Sequence, residues 1–255
     1  MFISVFKRCL LYSIFFFISL GCTQPKRELI VYAGKGMIFP IKEIVSQFER
    51  EHKVKIHAIY AGSNECLEAI KQSKKGDIFI SGYLKAIKRA NGLVKKHYFV
   101  AYHVPVLVVR KDFHQKIISF QDLANPQTRL GIGNPDMCAI GDIAQKIIKG
   151  SKFAHQILQN VHVKTPTVAD LLDLLVAKDI DAAIIWEDMF KWPHVKDIAM
   201  IKIPTRLNDI QEIHVAVWLR RPMKNWPLSL PNMSVQKVSK YSKNLAFGLL
   251  KTNEN

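Results

Sequence analysis

Cysteine is scarce, with four in 255 residues and no Cys-x-x-Cys pair. That excludes a small fold stapled by disulfides. The nine histidines show no zinc-ligand spacing, so a structural zinc site has no support. The Gly-x-Ser-x-Gly elbow, the Walker A loop and the Gly-x-Gly-x-x-Gly fingerprint are all missing. Gly131-Ile132-Gly133 follows an apolar run, but no third glycine comes at the required place. An enzyme needs a nucleophile with a base in reach, and no local motif supplies one. Acids are few beside bases, 21 against 37, for a formal net charge of +16. Such a balance admits nucleic acid, anionic membranes or small anions and selects none of them. What is present is an ordinary globular mixture, 49% hydrophobic, 23% charged and 10% aromatic. It excludes a disordered or collagen-like chain and suffices for one large domain or two modest lobes.

Long apolar runs are also missing, except at the start. Residues 1–21 read as a signal peptide: Lys7 and Arg8 form the positive region, and Cys9 to Leu20 is shorter than the ~20 residues of a spanning helix. Ser19-Leu20-Gly21-Cys22 resembles a bacterial lipobox, in which Cys22 is lipidated and becomes the mature N-terminus. An ordinary signal peptide and an uncleaved anchor are the alternatives. Residues 22–28 are polar and read as a linker. Removing residues 1–21 takes away two bases and no acid, which leaves +14. The expectation is a soluble monomer in the periplasm or cell envelope, lipid-anchored to a bacterial membrane, with no nucleic-acid partner.

Along the mature chain, strand and helix signals alternate. Leu29 to Ala33 is an apolar run ending in glycines, and Ile41, Ile44, Val45 and Phe48 have the spacing of an amphipathic helix. Further strands are read at Val54 to Tyr60, Asp77 to Ser81, Val104 to Arg110, Arg129 to Gly133, Val161 to Lys164, Asp181 to Trp186, Ala199 to Ile203 and His214 to Leu219. Thr167 and Asp170 form a Thr-x-x-Asp helix start. The pattern predicts an α/β fold of two lobes, each with a mixed, mostly parallel sheet flanked by helices and a ligand cleft between them. Lobe one takes residues 29–104 and lobe two 105–204. Residues 205–255 return to lobe one, with an irregular C-terminal end broken by Pro222, Pro227 and Pro231. In such sheets ligands sit beyond the carboxyl ends of the strands, where helix N-termini offer free N–H groups to an anion. Four strand-to-helix loops suit that role, at residues 33–36, 61–64, 134–140 and 165–168.

The order of these motifs resembles the periplasmic molybdate- and tungstate-binding proteins of ABC importers, which have the type II periplasmic-binding-protein fold. The likeness is carried by Leu29-Ile-Val-Tyr-Ala-Gly34, Tyr60-Ala-Gly-Ser63, Gly76-Asp-Ile-Phe-Ile-Ser81, Leu130-Gly-Ile-Gly-Asn-Pro135, Ile140-Gly141 and Asp181-Ala-Ala-Ile-Ile-Trp186. The resemblance implies a lipid-anchored receptor that closes on a tetrahedral oxyanion, without catalysis or cofactor, and docks on a permease. Its ligand residues carry over to Gly34, Lys35, Gly36, Ser63, Ile140, Val168 and Trp186. Gly36 stands where the family usually has a serine and Trp186 where it commonly has tyrosine. Lys35 adds a charge, and Glu187 and Asp188 are possible carboxylate ligands to the metal centre of the anion, or else a strand end or ion pair with Lys35. The rival readings are another anion or metal ion on the same scaffold, and a lipoprotein that has lost transport. Cys66 and Cys138 read as two buried thiols rather than a cleft-crossing disulfide. His97 and His103 read as surface or satisfied polar residues.

Overall fold

The computed structural model describes residues 28–90 and 92–218. The expected signal peptide, Cys22 and the C-terminal end from residue 219 lie outside the described residues. Glu28, the last residue of the expected linker, opens the first strand. In chain order the elements are β1 (Glu28–Gly34), α1 (Ile38–His52), β2 (Lys55–Ala61), α2 (Ser63–Ser73), β3 (Ile78–Ser81), α3 (Leu84–Arg89), β4 (Val94–His103) and β5 (Pro105–Arg110). There follow β6 (Leu130–Gly133), α4 (Ala139–Lys149), α5 (Ala154–Gln159), β7 (Val161–Thr165), α6 (Val168–Val176), β8 (Ala182–Trp186), β9 (Ile198–Ile201) and β10 (Gln211–Trp218). No described helix is long and apolar enough to cross a membrane.

Helix α4 shows why these segments settle where they do. Ile140, Ile143, Ala144, Ile147 and Ile148 are buried, while Lys146 and Lys149 face solvent. This is one apolar face at helical spacing. Fully burying an isoleucine or leucine stabilises the fold by roughly 1.5–3 kcal/mol. Leu67, Phe79 and Tyr83 serve lobe one in this way, and Leu107, Ile132 and Ile143 serve lobe two.

The strands form two five-stranded sheets, ordered β2-β1-β3-β10-β4 and β7-β6-β8-β5-β9. In the first, β1 runs parallel to β2 and β3, whereas β10 is antiparallel to β3 and β4. In the second, β6 is parallel to β7 and β8, whereas β5 is antiparallel to β8 and β9. Each sheet is therefore mixed, with four of its five strands running the same way and one against them. The cause is the same in both: the strand that arrives from the other lobe, β10 or β5, runs against its neighbours.

Strand β4 has no counterpart in the sequence reading. Only Val100 and His103 are buried along it, and the exposed Lys95, Lys96 and His97 hide any alternation. Val104 alone separates β4 from β5, and residues 202–210 lead back to β10. The Asn208 side-chain amide donates to the Pro105 carbonyl at 3.1 Å, which ties the two crossings together.

At the opposite end of β8 from Trp186, Asp181 is buried and accepts from the Arg129 backbone N–H at 3.0 Å and its Nε at 3.1 Å, and from Arg110 Nη1 at 2.9 Å. Burial alone would push the Asp181 carboxyl up, but the Arg129 and Arg110 guanidinium groups outweigh it and hold it below the usual range. Asp181→Asn is expected to destabilise the protein by about 3 kcal/mol, read by urea unfolding, because it strands buried donors. For the native chain the contribution is full above the ordinary aspartate range and is lost as pH falls through the depressed native pKa.

Candidate binding site

A cavity lies between the lobes where both sheets present the carboxyl ends of their parallel strands. Its water-accessible space is about 20 Å³. A single water needs about 10–15 Å³ on that measure, so the closed cleft has the scale of a small ion. After β1, Gly34 and a 3₁₀ turn, Lys35–Met37, lead into α1. After β2, Gly62 and Ser63 open α2, and after β6, Cys138, Ala139 and Ile140 open α4. Thr167 and Val168 open α6, and Trp186 ends β8. Four helix starts thus share one cavity, and the first N–H groups of a helix have no acceptor within it. Their partial positive charge suits an anion.

Ser63 is 3% exposed. Its Oγ accepts from the Gly82 N–H at 3.2 Å, which leaves the hydroxyl proton for another acceptor. Lys35 does not add a free charge. Its Nζ is 2.8 Å from Asp170 Oδ1 across the cleft, so its partner is neither Glu187 nor Asp188. Asp170 also takes the Thr167 N–H at 3.1 Å and hydroxyl at 2.8 Å, completing the helix start read from the sequence. Burial would raise the Asp170 carboxyl, but Lys35 and Thr167 more than offset this and hold it low.

All seven residues carried over from the resemblance line the cavity, whereas Glu187 and Asp188 are not among its lining residues. The Glu187 N–H donates to the Val104 carbonyl at 2.9 Å, and burial pushes its carboxyl up. Asp188 Oδ1 lies 3.2 Å from His103 Nε2. Among the described residues no group of three His, Cys, Asp or Glu side chains could hold a metal ion. Cys66 and Cys138 are buried free thiols, each pushed up to about 12 by burial.

Gly36 and Trp186, two departures noted in the sequence, explain each other. A Cβ on Gly36 would stand 2.8 Å from Val168 Cγ1 and 3.1 Å from Trp186 Cδ1. The indole occupies the space a side chain at 36 would need. His103 was missed as a wall of the cavity. It is buried against the opposite face of the site, its ring stacked on Trp186 with centroids 3.8 Å apart. No local signal marks it, since its place depends on where β4 crosses into β5.

The lobes touch. The Asn64 and Glu65 N–H groups both donate to the Met137 carbonyl at 3.1 Å. The Asn64 side chain donates to the Pro135 carbonyl at 3.0 Å. Gly62 permits this approach, because a Cβ there would run into the Met137 carbonyl oxygen.

Residues 29–226 match the family of bacterial extracellular solute-binding proteins. The chain belongs to that family. A presumed binding protein of Haemophilus influenzae is 35% identical over 161 residues, which are 62% of this chain and 65% of that one. The chain thus spans less than two thirds of that relative's length. Peb3 of Campylobacter jejuni, in its structure with L-phospholactate, superposes with a TM-score of 0.66 at 17% identity, over 85% of this chain and 95% of that one. The periplasmic molybdate-binding protein of Azotobacter vinelandii superposes with 0.65 at 12% identity, over 84% of this chain and 92% of that one. At these identities the two structures establish the shared fold of this solute-binding protein.

Gly62→Ala should keep both lobes folded but prevent full closure. Small-angle scattering is expected to show a larger radius of gyration than the native protein, with an unchanged circular-dichroism spectrum.

Proposed function

We propose that this solute-binding protein captures a tetrahedral oxyanion, molybdate or tungstate, for an ABC importer. The observation that carries this reading is the donor set. A free Ser63 hydroxyl proton and the N–H groups of four helix starts meet in a space the size of a small ion. The cleft offers neutral donors, since Lys35 is already matched by Asp170. A bare lysine would attract any anion as a point charge, whereas fixed N–H and O–H donors reward one size and one arrangement of oxygens. Trp186, buried, lines the same cavity, and its indole N–H adds a donor. A doubly charged anion that accepts from several preorganised donors binds the closed form in preference to the open one, and so shifts the population toward closure. Transfer to a permease in the cytoplasmic membrane, tethering through a lipidated Cys22 and action as a monomer belong to the same reading.

The test is thermal unfolding of the full chain in detergent, with molybdate, tungstate, sulfate, phosphate and L-phospholactate each in excess. A ligand that binds only the native state raises the midpoint. Molybdate or tungstate should raise it and sulfate should not. Ser63→Ala should weaken that binding about tenfold or more, the worth of one hydrogen bond to a charged acceptor. A response to phosphate or phospholactate alone would keep the receptor role and replace the ligand with a phosphoryl anion. No response to any of the five would remove the oxyanion assignment.

A further inference from the structure

Among the described residues three ion pairs have the cation on lobe one and the carboxylate on lobe two: Lys35 to Asp170 at 2.8 Å, Lys85 to Asp142 at 2.6 Å and His103 to Asp188 at 3.2 Å. A fourth, Lys146 of lobe two to Asp209 of the segment returning to lobe one at 3.1 Å, has the opposite polarity. Their environments rank the three. Lys85 is 55% exposed, and a pair so open to solvent contributes little. His103 is 3% exposed and Asp188 19%, so this pair is the least screened. It also stands at the hinge, one residue before the chain crosses from β4 into β5.

Both ring nitrogens of His103 face oxygen atoms. Nδ1 lies 3.3 Å from the Gly82 carbonyl, which can only accept. Nε2 faces the Asp188 carboxylate, off the line of a formed hydrogen bond, and has no other hydrogen-bond partner among the described residues. A neutral ring has one N–H and would leave one of these acceptors unserved. The indole of Trp186 is stacked on the ring within 12° of parallel, an arrangement that also suits a cation over an aromatic face. Lys35, matched by Asp170, and the Cys138 thiol, which burial keeps neutral, line the same cavity as the ring, and Glu187, beside Asp188, feels Lys202 and Lys191.

We propose that closure of the cleft is charge-driven and pH-gated, with His103 and Asp188 as the titratable pair of the three. Histidine is the side chain whose charge changes around neutral pH. Loss of the ring's second proton removes the attraction to Asp188 at the hinge and favours the open form. Closure and ligand retention therefore weaken as pH rises, while the lysine pairs are unaffected. The proposal rests on the cleft being the solute site, and not on which anion fills it.

The test is hydrogen exchange of the full chain in detergent without ligand, corrected for the intrinsic rate at each pH. The readout is the protection of the Asn64 and Glu65 amides. These head α2 and have no acceptor in their own helix, so their protection reports the bond to Met137 in the other lobe. In the native chain it should fall about tenfold between pH 5.5 and 8.5. His103→Gln and Asp188→Asn should abolish the pH dependence. Lys35→Met should lower protection equally at both pH values. Helical amides within α4 serve as the internal control for folding. Equal native protection at the two pH values, or a tenfold drop that survives His103→Gln, would overturn the proposal. The expected exchange pattern without any response to the five anions would leave gated closure standing and remove only the oxyanion reading.

Discussion

The first turn of an α-helix carries N–H groups that nothing in the helix can satisfy, and a buried donor left without a partner is costly. In this chain four helix starts are brought to one small cavity between two lobes. The protein deals with these donors in different ways. At α2 two of them bond the Met137 carbonyl of the other lobe. At α6 the Thr167 hydroxyl takes one. The remaining donors, with the Ser63 hydroxyl, surround a space on the scale of a small ion. Sheet order, glycine placement and lobe contact all follow from keeping these helix starts together. Two sheets with the same strand order place the carboxyl ends of β1, β2, β6 and β7 around the cleft. Two crossings join the lobes, Val104 and residues 202–210.

The two lobes approach closely because backbone meets backbone. Gly62 has no side chain to hold off Met137, and Gly36 has none to hold off Val168 and Trp186. Neither glycine is needed for an unusual backbone angle. Each is needed for contact across the cleft. The pairing of Gly36 with Trp186 shows that a missing side chain and a larger one are a single packing solution. Substituting either alone leaves a clash or a void, so the two positions are coupled.

Much of the fold is legible in the sequence, because β1, α1, β3 and β8 carry their own apolar pattern and their own stops. The glycine- and threonine-rich loops at 33–36, 61–64 and 165–168 also declare themselves, since strand end and helix cap are local chemistry. What is hidden is whatever depends on distant neighbours. Strand β4 lies at a sheet edge with most of its side chains in water, so no alternation marks it. The antiparallel sense of β5 and β10 is decided by the route between lobes, which no local window records. His103 becomes a cavity wall only because β4 ends at the crossing. Lys35 becomes a neutralised residue only because Asp170, 135 positions away, meets it.

That last pairing leaves the lysine of the closed cleft already matched by a carboxylate. Had Lys35 faced the cavity alone, its charge would have drawn any anion, and selectivity would have had to come from size exclusion alone. Asp170 is fixed by its own helix start through Thr167, so it cannot follow Lys35 if the lobes part. Opening the cleft therefore frees an ammonium on lobe one and a carboxylate on lobe two. On the oxyanion reading proposed above, the ammonium attracts the anion to the open form, while closure restores the pair and leaves the ligand to the N–H and O–H donors. Attraction and discrimination are then separated in conformation. Charge acts on the open cleft, and the fixed geometry of N–H and O–H groups acts on the closed one.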